Sequence, residues 1–250
     1  MGEIVKIREK HKASYSHIDK YNNVTLQNMA RWMQDIFLRQ EDMLNINMDS
    51  NLAWILLSYD LNIYKYPKLG DEIVVTTYPY SFNRFYGNRI FTIENDSGEI
   101  VAEAKTKWLL VKKDTFAIKQ ISKDIAKSYG LEKIEKGKGF QIDTIDDEVF
   151  MGIIGEKLNI RYDDIDFNSH VNNTVYFSYP FDYIDRDILR DYEVYKIQIM
   201  YKDSIRIDTD CDVYAITKEE DNQKVTYIKI SKEDKIYTTI KIIWKEKGYE

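Results

Sequence analysis

The chain has 250 residues, a length that fits one large domain or two of roughly 100–150 residues. Hydrophobic residues make up 44% and charged residues 31%, with three prolines, so there is material for a core and little sign of disorder. A formal charge of −6 speaks against a general nucleic-acid binder, which needs a basic face. It leaves room for an acidic protein partner met by a local Lys/Arg patch.

The chain has one cysteine, Cys211, which excludes an intrachain disulfide framework and a Cys-rich metal site and fits a reducing compartment. Its expected place is as a small, partly buried side chain. The segment Met1 to Arg8 has no signal-peptide apolar core, and Lys6 breaks the myristoylation pattern. No apolar run is long enough to span a bilayer, so the expectation is a cytoplasmic protein without membrane insertion.

Lys6 to Tyr15 alternates weakly, as a strand does. Leu26 to Leu44 reads as a helix: Met29, Trp32, Met33, Ile36, Phe37 and Gln40 keep helical spacing, and Thr25 can cap its start. The stripe serves a core, and beside a tunnel it would also line it. Strands are expected over Trp54–Lys65, Glu72–Tyr78, Phe85–Glu94 and Ile100–Val111. Turn signals separate them at Tyr66-Pro67-Lys68-Leu69-Gly70-Asp71 and at Asn95-Asp96-Ser97-Gly98. Asp114 to Asp147 reads as a linker, with a short helix within Ile121–Leu131 and a charged stretch, Glu135-Lys136-Gly137-Lys138-Gly139. That stretch lacks the Lys-Ser/Thr of a phosphate-binding loop.

The same order then restarts. A strand is expected over Ile153–Tyr162, and a helix over Val171–Asp191, kinked or split by Pro180. Further strands are expected over Val194–Tyr201, Cys211–Thr217, Lys224–Ser231 and Lys235–Trp244. Tyr15-Ser16-His17-Ile18-Asp19 aligns with Tyr162-Asp163-Asp164-Ile165-Asp166 at an offset of 166 − 19 = 147, and Val24 falls on Val171. Trp108 falls on Trp244 at 244 − 108 = 136. A helix followed by an antiparallel sheet, repeated, implies an α+β chain with a sheet wrapped round a helix in each half. The halves are placed at residues 1–133, including linker, and 134–250.

Asp166, Asn168 and His170 stand at i, i+2 and i+4 just ahead of the second helix. Were this segment extended, all three would face one side. His170 could act as a general base, Asp166 could orient its ring, and Asn168 could hold water or an acyl carbonyl. Amides around Val171 to Asn173 could stabilise an oxyanion. The same residue types also serve as caps and as solvated surface. In the first half, Tyr21 stands at the position of Asn168 and Asn23 at that of His170, so only the second half keeps the ionisable set. His11 and His17 have no metal-ligand neighbourhood in the sequence and read as exposed or capping residues.

The run Asp166-Phe167-Asn168-Ser169-His170-Val171-Asn172-Asn173 resembles the Asp-x-Asn-x-His-Val-Asn-Asn signature of plant and bacterial acyl-acyl-carrier-protein thioesterases. Tyr64 to Asp71 and the Trp108 strand resemble that family as well. The resemblance implies two tandem hot-dog domains and hydrolysis of fatty acyl-carrier thioesters without a cofactor. It places catalysis on Asp166, Asn168 and His170 and the acyl chain mainly against the first half. The implied partner is acyl carrier protein bearing a fatty acyl-phosphopantetheine, met by a monomer or homodimer. Arg31, Arg39, Lys112, Lys113 and Lys119 could face the carrier or simply be solvated. The family's further acid sits in a Tyr-x-x-Glu pattern. Here Tyr201-Lys202-Asp203-Ser204 puts Ser204 at the acid's place and Asp203 one position early. Either Asp203 serves through a one-residue shift, or the acid is absent. An acyl-CoA thioesterase, a non-catalytic acyl-thioester-binding module and a hot-dog dehydratase are the competing readings.

Overall fold

A computed structural model describes residues 4–44, 51–136 and 139–248. The chain divides into two compact units, Met1–Gln141 and Ile142–Glu250.

The first unit begins with strand β1 (Ile7–Lys12) and a 3-10 turn (Tyr15–His17), followed by helix α1 (Leu26–Met43). Four strands follow: β2 (Leu52–Ile63), β3 (Glu72–Asn83), β4 (Tyr86–Asn95) and β5 (Ile100–Lys112). They pair antiparallel in the order β1-β3-β4-β5-β2. Thr25 caps α1 by accepting from the Asn28 amide at 3.3 Å. Met29, Met33 and Ile36 are fully buried on its inner face. Each such side chain contributes about 1.5–3 kcal/mol through burial, far more than helix propensity supplies. Gly98 takes φ +81° in the β4–β5 hairpin, where a left-handed residue costs glycine nothing.

Part of the segment expected to be a linker packs into the first unit, although most of it is exposed. Helix α2 (Lys123–Ser128) is flanked by Ile121 and Tyr129, which pack with Ala126, Phe82 and Leu110 in one buried cluster. Strand β6 (Ile134–Glu135) pairs parallel with β3. Of the charged stretch, residues 137–138 lie outside the described residues.

In the second unit the expected strand over Ile153–Tyr162 shrinks to β7 (Glu156–Lys157). The main strands are β8 (Tyr192–Tyr201), β9 (Asp212–Glu220), β10 (Gln223–Lys232) and β11 (Lys235–Glu246). Their order, β7-β9-β10-β11-β8, reproduces that of the first unit position by position. The long helix does not recur. Val171–Asp191 holds 3-10 turns at Asn173–Phe177 and Tyr179–Asp182, then a six-residue helix α3 (Arg186–Asp191). Pro180 cannot donate to a helical ladder, and Thr174, Val175, Tyr176 and Phe177 are β-branched or aromatic. Burial of Val175, Tyr176, Phe177 and Tyr179 fixes the segment instead. The expectation of a long helix in each half therefore holds for the first unit only.

Candidate active site

The Asp166–His170 segment is a closed loop, not an extended run. Ile165 and Val171 form an isolated antiparallel bridge across its base. Asp166 N–H donates to the His170 carbonyl at 2.8 Å, and Ser169 N–H to the Asp166 carbonyl at 2.9 Å. The Asp166 Oδ1 accepts from the amides of Asn168 (2.8 Å) and His170 (3.4 Å). Ser169 takes φ 63° to complete the reversal. Five residues that could have alternated are thus folded by an aspartate that satisfies the main chain.

The first unit repeats this loop at the offset of 147. Ile18 bridges Val24, Asn22 takes φ 63°, and the Asp19 Oδ1 accepts from the amides of Tyr21 and Asn23. Val24 N–H donates to the Pro67 carbonyl as Val171 N–H donates to that of Ile205, both at 2.8 Å. Asn23, at the histidine's position, is buried and accepts from the Lys68 ammonium. The scaffold and its aspartate are common to both copies; the histidine is not.

Two of the amides expected to face an oxyanion are already used. Val171 N–H is taken by Ile205, and Asn172 N–H donates to the Asp164 carbonyl at 2.8 Å. The exposed loop tip presents Asn168, with His170 half-buried beside it. Asp164, which sequence reasoning treated only as part of the aligned repeat, anchors the loop from below. It is buried, paired with Arg161 at 2.9 Å and bonded to the Tyr179 hydroxyl at 3.0 Å. The alignment carried a signal for it, because its counterpart His17 caps its own turn through Nδ1 and the Ser14 amide.

Asp203 and Ser204 lie where β8 ends, and both are exposed. The Val171–Ile205 hydrogen bond brings this segment alongside His170. Burial alone would raise the Asp203 carboxyl. The Lys235 ammonium, the Ser204 amide and the charge of His170 together hold it below the ordinary value. The Asp203 carboxylate lies within electrostatic reach of His170.

Cys211 is 2% exposed, and burial foremost pushes its thiol up to about 11, so it is no nucleophile. Among the described residues, no group of His, Cys, Asp and Glu is placed to hold a metal ion. In the first unit a narrow aromatic cleft is lined by Phe37, Trp54, Phe82, Trp108 and Tyr129, with Arg89 in its wall. Arg89 is buried and bonded to Gln40 and Thr77, and lies 3.6 Å from Glu41, which in turn accepts from the Tyr129 hydroxyl at 2.6 Å.

Duplicated sheets of identical strand order, with one acid–amide–imidazole loop per pair, define a tandem hot-dog protein. Family models for the acyl-ACP thioesterase N-terminal and C-terminal domains match residues 5–129 and 153–246. The chain belongs to the acyl-ACP thioesterase family. Its fold is that of a Lactobacillus plantarum protein assigned as an oleoyl thioesterase, with TM-score 0.89, 20% identity and 98% of each chain covered. It is also that of the 12:0-ACP thioesterase of Umbellularia californica, with TM-score 0.82, 17% identity, and 97% and 94% covered. Oleoyl-acyl carrier protein thioesterase 1 of Arabidopsis thaliana is 23% identical over 242 residues, 85% of this chain and 64% of that protein. The chain thus spans less than two thirds of the length of the curated relatives it first matches.

Proposed function

We propose that this protein hydrolyses fatty acyl thioesters carried on acyl carrier protein, releasing free fatty acid and the carrier thiol. The observation that carries the reading is the family match over both units, joined to a loop that keeps imidazole, amide and carboxylate in the second unit alone. In this reading His170 takes a proton from water as the water oxygen bonds to the thioester carbonyl carbon. The Asn168 carboxamide donates to the carbonyl oxygen as it gains charge. The tetrahedral adduct then collapses, the carbon–sulfur bond breaks, and the imidazolium returns the proton to the leaving thiolate. Asp166 holds Asn168 and His170 in register through their amides, while Asp203 places a carboxylate beside the loop. No cofactor enters the scheme, and one chain contains every group it uses.

Thiol release from acyl-carrier substrates of graded chain length tests the proposal. His170→Ala is expected to lose about 10²–10⁴-fold in kcat. Equal rates for wild type and His170→Ala would sink the site assignment. Matched acyl-CoA substrates distinguish the carrier from the free coenzyme.

A further inference from the structure

Strand β8 ends in a bulge. Lys202 and Asp203 N–H both donate to the Tyr237 carbonyl, at 2.8 and 3.1 Å. The first unit has the same feature, with Tyr64 and Lys65 N–H on the Val101 carbonyl at 2.9 and 3.1 Å. Bulges re-aim side chains next to active sites. In the first unit the re-aimed residue is Lys65, a cation, and no histidine stands on the neighbouring loop. In the second it is Asp203, beside His170. Among the described residues, only in the second does a further side chain grip the re-aimed residue: Lys235 Nζ, at the start of β11, meets Asp203 Oδ2 at 2.6 Å. The same ammonium lies 4.9 Å from the centre of the Tyr237 ring. Tyr237 is buried, so its carbonyl fixes the main chain of Asp203 while its ring backs the cation that holds the carboxylate.

We propose that Lys235 is a positioning residue for hydrolysis: its ion pair fixes the Asp203 carboxylate against His170. The inference rests on the reading of His170 as the base. Lys235 does not touch the substrate; it acts through Asp203. The Asp203 carboxylate has the Ser204 amide on its other oxygen at 2.7 Å, which leaves it held from both sides. The charged and titratable groups around it are Lys235 and Tyr237 on β11, His170 on the loop and Tyr176 on the 3-10 turn. Burial foremost pushes the Tyr176 phenol up, so it stays neutral in the working range. The interplay is therefore among one cation, one carboxylate and one imidazole.

The test uses the full chain and an acyl-pantetheine thioester, which removes carrier docking from the measurement. Lys235→Gln is expected to lower kcat about two- to fivefold, the range an exposed ion pair commands, with KM unchanged. Loss of a nearby positive charge also moves the acidic limb of the kcat profile to higher pH. Lys235→Arg keeps the cation and restores both. In an Asp203→Asn background, Lys235→Gln should have no further effect, because the group it holds is gone. Both side chains are exposed, so the variants should fold; thermal melts check this. A Lys235→Gln enzyme with wild-type kcat and wild-type pH profile overturns the proposal. So does an equal loss in the Asp203→Asn background, which would show Lys235 acting elsewhere. If His170→Ala retains full activity, the site reading falls first, and that result separates the two failures.

Discussion

Asp166 and His170 are joined through the main chain: the amide of Asp166 meets the carbonyl of His170 at 2.8 Å, and the carboxylate of Asp166 accepts from the His170 amide at 3.4 Å. The aspartate thus shapes the loop that presents the imidazole. Asparagine can make the same turn with its side-chain oxygen, whereas alanine cannot. Asp166→Asn is therefore expected to stay within about 0.5 kcal/mol of wild type in urea unfolding, and Asp166→Ala to lose about 1–2 kcal/mol. Asp19→Ala should cost the first unit a similar amount. Equal stabilities for Asp166→Ala and Asp166→Asn would refute the capping role.

Ser169 sits at φ 63°, a region that costs an ordinary residue about 1–2 kcal/mol and a glycine almost nothing. Ser169→Gly should leave stability unchanged or raise it by up to about 1 kcal/mol. Ser169→Val, β-branched, should lower it by more than about 1 kcal/mol and reduce activity by displacing His170. Paired thermal melts and kcat measurements decide this. A stable, fully active valine variant would mean the loop relaxes without cost.

Arg89 and Glu41 place opposite charges inside the first unit, and burial foremost pushes the Glu41 carboxyl up and the Arg89 guanidinium down. Arg89→Met leaves Glu41 without its cation, at an expected cost of about 3–5 kcal/mol. Adding Glu41→Gln removes the stranded charge and keeps an acceptor for the Tyr129 hydroxyl, so the double variant should recover much of that loss. Urea midpoints for the four proteins measure the coupling. A double variant no better than Arg89→Met would count against it.

His11 stacks on Trp32 at 5.4 Å. Burial foremost, with Arg39 and His17, holds its imidazole below the ordinary value of 6.5, while Glu9 and Asp35 oppose them. The unfolded chain therefore binds a proton that the folded chain resists. Stability contributed here is present above the unfolded value and is lost as pH falls through 6.5 toward the lower folded value. His11→Asn should flatten that fall. Urea unfolding at about pH 7.5 and about pH 5.5 tests it: a wild type and variant that lose stability in parallel would exclude His11 as the source.

Much of the architecture was legible in residue patterns. Period-3.6 spacing from Met29 to Gln40 marked α1, and the Asn95–Gly98 turn marked the β4–β5 hairpin. The offset of 147 found a repeat that recurs down to individual hydrogen bonds. Three things were hidden. Val171–Asp191 carries apolar residues that would suit a helix, yet Pro180 and its aromatic neighbours break it into short turns. Ile121 and Tyr129 sit among polar residues that look like linker, but a few large side chains suffice to seal a core. The loop at Asp166 has the alternation of a strand, and only the hydrogen bonds of Asp166 reveal a turn. In the candidate site, Asp166, Asn168 and His170 stand together because a motif groups them in sequence. The contact between Asp203 and Lys235 joins positions distant along the chain, and no local pattern announces it.

Cys211 has a practical corollary. It is the chain's sole cysteine, it is sealed within the second unit, and its thiol is far from ionising at neutral pH. A chromogenic disulfide reagent mixed with folded protein should meet no competing sulfhydryl, so colour that develops during turnover belongs to the released carrier thiol. When substrate is omitted and denaturant is titrated in, the same reagent becomes a clock for the opening of the second unit, one equivalent of colour marking each molecule that has come apart.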